Sequence, residues 1–307
     1  MIVFFDVFFR LFRFYLKAKT RHGVHSPFVF ELVERVLEDC RTFYAFDEIE
    51  LVRQQLLESE ERISVRDLGA GSQVSNGEKR RVATIARSAV SPRFQGQTLF
   101  RLVEWLKPRH ILELGTSLGV TSLHLAEAAP ADAKIWTLEG SPEIAHLARK
   151  NFNWFYDCIK DFRGLRYHNA KISKFLSHYK NEKLHEYKQK INLVEGNFDE
   201  ILSGVLHDMK KIDFAYIDGN HRKEPTLRYF EQCLPFVHEY SVLIFDDVHW
   251  SPEMEAAWQT ICADKRVRLS IDLFWCGMVF FRNEQKEKEH FDLIPSRLKP
   301  FSLGFFS

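Results

Sequence analysis

The sequence predicts an α/β fold: a doubly wound, mostly parallel seven-stranded sheet with an antiparallel strand at its C-terminal end, preceded by a helical N-terminal extension. Three observations carry that expectation. From about Arg109 onward, short β-rich runs alternate with helical patterns, which is the arrangement of a parallel sheet covered on both faces. Successive runs end in acids or amides, at Glu139, Glu195 to Asn197, Asp218 and Asp246 with Asp247, and ligands on such sheets bind at the carboxyl ends of the strands. The last two runs are joined by only a few residues around Trp275 and Cys276. That is too short for a parallel crossover, so they form an antiparallel pair.

The elements follow in order. In the opening MIVFFDVFFRLFRFYL, residues Phe5, Phe8, Phe9, Phe12 and Leu16 recur at helical spacing on one face, with Asp6, Arg10, Arg13 and Lys17 on another. An amphipathic helix is expected there. Asp6, Arg10 and Arg13 interrupt the apolar run well short of a spanning length, so it is not a transmembrane segment. Its apolar face is expected to pack on the body of the protein or on a second subunit, giving a homodimer through this helix; lying on a membrane surface is the alternative. Ser26 can cap, and Pro27 can open, a helix running through FVFELVERVLEDC. The strands are then read from HILELG, KIWTLEG, INLVEG, FAYIDG, SVLIFDD, RLSIDLF and GMVFFR. This divides the chain into a mostly helical extension or cover (1–90), a catalytic domain (91–285) with a basic insertion near 160–190, and a C-terminal tail (286–307).

Lys plus Arg number 43 against 42 for Asp plus Glu, so no global field favours nucleic acid or an anionic membrane, and any such partner needs a local patch. The five cysteines are odd in number and never spaced as CxxC. That argues against a disulfide framework or a structural zinc and for a reducing, cytoplasmic setting.

The first strand of the sheet runs into Glu113-Leu114-Gly115-Thr116-Ser117-Leu118-Gly119 and then a helix at Thr121. Glycines let backbone approach a ligand, and the helix N-terminus offers unpaired N–H donors. Ser117 stands where a dinucleotide fingerprint requires its second glycine, which disfavours NAD. Glu139, about twenty residues on, can accept both ribose hydroxyls of a nucleoside. Tight strand-to-helix turns need glycine in any case, so the later strand ends are what turn this loop into a ligand site. A second glycine run, VRDLGAGS at Val65 to Ser72, lacks a following strand that ends in an acid, and reads as part of the extension or an active-site cover.

Taken in order, the ELGTSLGVTS loop, the TLEGSP strand end, the VEGNF turn, FAYIDGNH and FDDVHWS resemble the class I S-adenosylmethionine-dependent methyltransferases. Within them the likeness is closest to the catechol and caffeoyl-coenzyme A type O-methyltransferases and related bacterial proteins, and it covers about Ser91 to Arg282. The resemblance implies a Rossmann-like sheet, S-adenosylmethionine as cofactor, and a small-molecule hydroxyl as methyl acceptor. It implies that Glu113, Gly115, Thr116 and Gly119 line the methionine part, that Glu139 holds the ribose, that Gly196 and Asn197 lie by the adenine, and that Asp218 also belongs to the pocket. Asn197 stands where an acid is often found, and Glu239-Tyr240 where a glycine pair is common.

Methyl transfer is an in-line displacement at a carbon already activated by a sulfonium, so the protein must chiefly align the nucleophile and take its proton. Asp218, Asp246 and Asp247 are hard oxygen donors of the type Mg²⁺ prefers. In the resembling metal-dependent enzymes the ligands fall at these positions, with Asn typical where this chain has Asp247. Otherwise Asp218 orders the cofactor pocket and Asp246 caps a turn. His221 follows Asp218 by three residues, where the catechol-type enzymes carry a lysine base, and imidazole suits proton abstraction near neutral pH. Asp218 is its catalytic companion in this reading. His249 and Trp250, just beyond the paired aspartates, could instead supply a base and an aromatic wall. His22 and His25 have HxxH spacing without nearby carboxylates or cysteines, which makes a metal role weak.

Between Lys160 and Lys190 lie nine Lys or Arg against three Asp or Glu, interleaved with aromatics. A solvated helical hairpin accounts for that pattern; RNA methylation using the basic insertion is the enzymatic alternative. A nucleoside-binding module without catalysis is the non-enzymatic one.

Overall fold

The computed structural model describes residues 2–64, 79–159 and 190–299. The VRDLGAGS run and the basic insertion, apart from Lys190, lie outside the described residues. In chain order the helices and strands are α1 (Ile2–Lys17), α2 (Pro27–Leu32), α3 (Tyr44–Glu58), β1 (Arg62–Ser64), β2 (Lys79–Arg81), α4 (Val82–Ala89), α5 (Arg93–Leu106) and β3 (His110–Leu114). They continue with α6 (Val120–Ala128), β4 (Lys134–Glu139), α7 (Pro142–Trp154), β5 (Ile191–Glu195), α8 (Phe198–Met209), β6 (Ile212–Ile217) and α9 (Lys223–Cys233). The last are β7 (Val237–Asp246), α10 (Pro252–Ala263), β8 (Leu269–Asp272), β9 (Cys276–Phe280) and β10 (Glu289–Asp292). Strands and helices alternate as expected of a mostly parallel Rossmann-like sheet flanked by helices.

The chain resolves into two compact units, one of residues 41–201, the other of residues up to 40 together with those from 202. In the first, β3, β4 and β5 run parallel, with Ile111 opposite Ile135 and Ile135 opposite Ile191. β3 is buried along almost its whole length, Glu113 included, as expected of a strand covered on both faces. Helix α7 begins where Ser141 accepts from the Ile144 N–H and Pro142 takes the first turn. α5 ends at Lys107, in the left-handed region at φ 51, just before Pro108. A core of aliphatic and aromatic side chains, including Ile49 of α3, Leu118 of the loop before α6, Leu123 of α6 and Phe155 just beyond α7, fills this unit. The N-terminal extension is thus helical, as expected, apart from the short antiparallel β1–β2 pair.

In the second unit β6 and β7 are parallel, β9 lies antiparallel to both β7 and β8, and β10 runs parallel to β8. The β8–β9 antiparallel pair is the one its short connection predicts. The strand count departs from seven: among the described residues β10 lies within the stretch expected as a tail and adds a strand to those expected. Its sequence, EHFD, is too short and polar for periodicity to reveal. The helix expected through FVFELVERVLEDC is six residues of α-helix followed by a π-turn over Val33–Leu37. Pro27 opens it, but Ser26 makes no side-chain cap bond.

Helix α1 forms as predicted but turns the other way. Phe14 is buried, whereas Phe8 and Phe9 are 64% and 61% exposed and Phe12 and Leu16 similarly so. The expected packing of that apolar face on the protein body is therefore corrected. What faces inward is Arg10, whose guanidinium donates to the carbonyl of His249 at 3.2 Å and pairs with Glu255 at 3.4 Å.

Candidate cofactor loop and acid cluster

The loop after β3 owes its shape to three residues in the left-handed region: Gly115 at φ 101, Ser117 at φ 48 and Gly119 at φ 85. The N–H groups of Gly115 and Thr116 both donate to the Leu138 carbonyl, at 3.0 and 3.1 Å, which pins the loop against the end of β4. At Gly119 a Cβ would meet the Phe152 ring at 2.5 Å. Glycine is required there by both conformation and space.

Glu139, at the end of β4, is only partly buried. Its Oε2 accepts from the Ser117 N–H at 2.9 Å and its Oε1 from the Ser141 N–H at 2.9 Å. The carboxylate is thereby held between the glycine loop and the start of α7. The Gly196 N–H donates to the Glu139 carbonyl at 3.0 Å, bringing the end of β5 alongside. Asn197 Oδ1 accepts from the Asp199 N–H at 3.1 Å, which opens α8. Gly115, Ser117, Glu139, Gly196 and Asn197 are all partly exposed at the ends of three adjacent parallel strands.

Glu113 and Thr116 sit differently. Glu113 has no exposed surface, and its Oε2 accepts from the hydroxyls of Ser122 and, at 2.5 Å, Thr137. Thr116 and Thr137 share a hydroxyl bond at 2.6 Å. Both residues form a buried polar strut beneath the loop. Ser117, which reads in the sequence as the departure from a glycine fingerprint, supplies the N–H that orients Glu139. A small cavity of about 60 Å³, lined by Glu50, Arg53, Arg93 and His124 among others, contains none of the strand-end residues and is unrelated to this site.

The second unit carries the acid cluster. Asp218 ends β6, and Asp246 and Asp247 end β7, Asp247 in the left-handed region at φ 53. Burial pushes the Asp246 carboxyl well above the usual range, and the nearby charges of Asp218 and Asp247 push it further. Asp218 and Asp247 are also raised by burial, which the neighbouring His221 opposes. His221 Nε2 lies 3.4 Å from Asp218 Oδ1, so the sequence-predicted acid and base meet. Tyr216, from the same strand as Asp218, buries its hydroxyl beside the acids, and burial and the charges of Asp218 and Asp246 raise its pKa. Sequence reasoning missed it because a tyrosine in a β-run reads as core.

The donor chemistry of the three aspartates suits a hard cation, and Asp246 Oδ1 is buried without a hydrogen-bond partner. Among the described residues, however, no group of three or more His, Cys, Asp or Glu is arranged to hold a metal ion.

His249 is corrected as the alternative base. Its Nδ1 bonds Glu255 and its Nε2 bonds Asp272, both at 2.8 Å, while Phe274 stacks on the ring. Burial opposes its charge, but the two carboxylates outweigh it and the pKa is raised. An imidazole with both nitrogens engaged by carboxylates acts as a structural clamp. Trp250 is 58% exposed. His22 and His25 are exposed, and His22 accepts from Arg21.

Comparison with known proteins agrees with the motifs. Residues 112–248 match the family described as "Methyltransferase domain". This stretch is a methyltransferase domain. It runs from inside β3 to just past Asp247 and so contains every strand-end residue discussed above. A "Catechol O-methyltransferase" of Niastella koreensis is 38% identical over 65 residues, 21% of this chain and 29% of that protein. A "Transmembrane O-methyltransferase" of Homo sapiens is 43% identical over 56 residues, 18% of this chain and 19% of that protein. The chain thus spans about a fifth to a third of the length of these curated relatives. Among solved structures, the SAH-bound methyltransferase of Podospora anserina shares the fold, with a TM-score of 0.51 over 85% of this chain and all of that one, at 16% identity. The family match and the curated relatives agree with the class I, S-adenosylmethionine-dependent O-methyltransferase group that the sequence resembles, and the solved structure shares its fold.

Proposed function

We propose that the protein is an S-adenosylmethionine-dependent O-methyltransferase acting on a hydroxyl of a small molecule in a cytoplasmic setting, its catalytic region spanning 91–285. The observation that carries the reading is Glu139. A partly exposed carboxylate, fixed at both oxygens by backbone N–H groups from a glycine turn and a helix start, suits the ribose diol of a nucleoside. In this reading Gly115 and Ser117 give close backbone approach to the methionine part, Gly196 and Asn197 border the adenine, and Glu113, Thr116 and Gly119 keep the loop in shape. Asp218 and His221 form the acid–base pair that would take the acceptor's proton; half-buried and 3.4 Å apart, they are suited to that transfer. A divalent cation at Asp218, Asp246 and Asp247 is the finer form of the proposal. Bound there, it would lower the hydroxyl's pKa.

Calorimetric titration with S-adenosylmethionine and its demethylated product is the test. Micromolar binding to the wild type, weakened on the order of tenfold or more in Glu139→Ala through loss of charge-assisted hydrogen bonds, is expected. Absence of binding to folded protein rules the reading out.

A further inference from the structure

Helix α1 presents an uncovered apolar surface of unusual density. With Arg10 and Phe14 turned inward, Phe8, Phe9, Leu11, Phe12 and Leu16 are between 42% and 64% exposed. Two more exposed apolar residues flank the helix. Trp250 accepts from Arg10 through its carbonyl, and Leu298 precedes Lys299, whose ammonium donates to the carbonyls of Tyr15 and Ala18 at 2.8 Å. Isolated exposed apolar residues are ordinary, but a contiguous aromatic face on one helix marks a surface that meets something apolar.

The charges around this face are mainly positive. Arg13, Lys17 and Lys19 are exposed, whereas the helix's only acid, Asp6, lies 3.8 Å from Arg10. A second copy of the same face would bring its apolar arc but a single acid, Asp6, to meet those three cations. An anionic bilayer supplies both complements: an acyl boundary for the phenylalanines and negative headgroups for the basic rim. Sixteen helical residues reach about 24 Å, and no helix among the described residues is long and apolar enough to cross a membrane. The geometry is that of a helix lying in the interface.

We infer that α1 docks the protein on an anionic lipid surface, lying in the interfacial plane with Phe8, Phe9, Phe12 and Leu16 inserted and Arg13 and Lys17 on the headgroups. Arg10, tied to Glu255 and to the loop that follows Asp247, fastens the body to that anchor. The inference stands whatever group the protein methylates.

The test is sedimentation of the full chain with phosphatidylcholine vesicles, with and without phosphatidylglycerol, at low and high salt. Retention on the anionic vesicles, weakened by salt, is expected. Phe8→Ser with Phe12→Ser, and separately Arg13→Glu with Lys17→Glu, should each lower the vesicle partition on the order of tenfold or more. All four side chains are exposed, so the thermal transition should be unchanged, and a melt of each variant checks this. Equal retention on neutral and anionic vesicles, or none on either, overturns the inference. So does a concentration-dependent dimer in analytical ultracentrifugation that Phe8→Ser with Phe12→Ser makes monomeric while vesicle binding is absent, because the occupant is then a second copy.

Discussion

At the scale of single residues, the cofactor loop depends on where backbone can turn left-handed. Gly115 and Gly119 do so without strain; Ser117 does so at a small cost, and in return points its N–H at Glu139. Gly119→Ala is expected to lower stability by about 1–3 kcal/mol, from the strained φ and from overpacking against Phe152. Denaturant unfolding would measure it. Adding Phe152→Ala relieves only the clash, so the double variant should still bind S-adenosylmethionine more weakly than Phe152→Ala alone. Full recovery would mean that space, and not backbone conformation, is what Gly119 provides. The glycines were legible in the sequence because their type announces their conformation. The role of Ser117 was not, because a serine at φ 48 leaves no compositional trace. The role of His249 is hidden for a related reason: only the fold brings Asp272 and Glu255 to its two nitrogens.

At the scale of elements, strand ends were readable and helix faces were not. Each β-run stops at a polar residue, so Glu139, Asp218 and Asp246 could be placed by counting. Helix α1 has a broad apolar arc and a second, narrower one around Phe14, and periodicity cannot say which is inside. Arg10 decides it, through Glu255 and the His249 carbonyl, partners more than two hundred residues away. The packing of α5 on α6 is similarly invisible in sequence. Gly96 lets the two helices approach until a Cβ at that position would sit 2.7 Å from the His124 ring. Gly96→Ala should therefore destabilise the protein by about 1–3 kcal/mol despite alanine's better helix propensity. His124→Ala in the same chain should recover most of that loss in a double-mutant cycle. An additive result would separate the two positions.

At the scale of the whole molecule, two buried groups give the two compact units opposite responses to pH. His124 is buried with its Nδ1 on the Val120 carbonyl at 2.9 Å, and burial lowers its pKa to about 4. The unfolded chain, with an ordinary imidazole near 6.5, then binds the extra proton first. Stability from this group is full above about 6.5 and is lost as pH falls toward 4, by about 3 kcal/mol. The acid cluster works the other way. Burial and the neighbouring Asp218 and Asp247 raise Asp246 in the folded state, so its contribution is full below the ordinary carboxylate range and is lost as pH rises through the folded value. Amide exchange resolved by strand would separate the two. Protection of β3 should decline below pH 6.5, and protection of β7 should decline toward alkaline pH. Asp246→Asn removes a buried, mutually repelling charge and should raise β7 protection near pH 8 while leaving β3 unchanged, at the expense of whatever chemistry the cluster performs. The opposite result, lower β7 protection in Asp246→Asn, would mean that a cation already neutralises the aspartates in solution. A chelator should then reproduce the loss in the wild type and leave the variant unaffected.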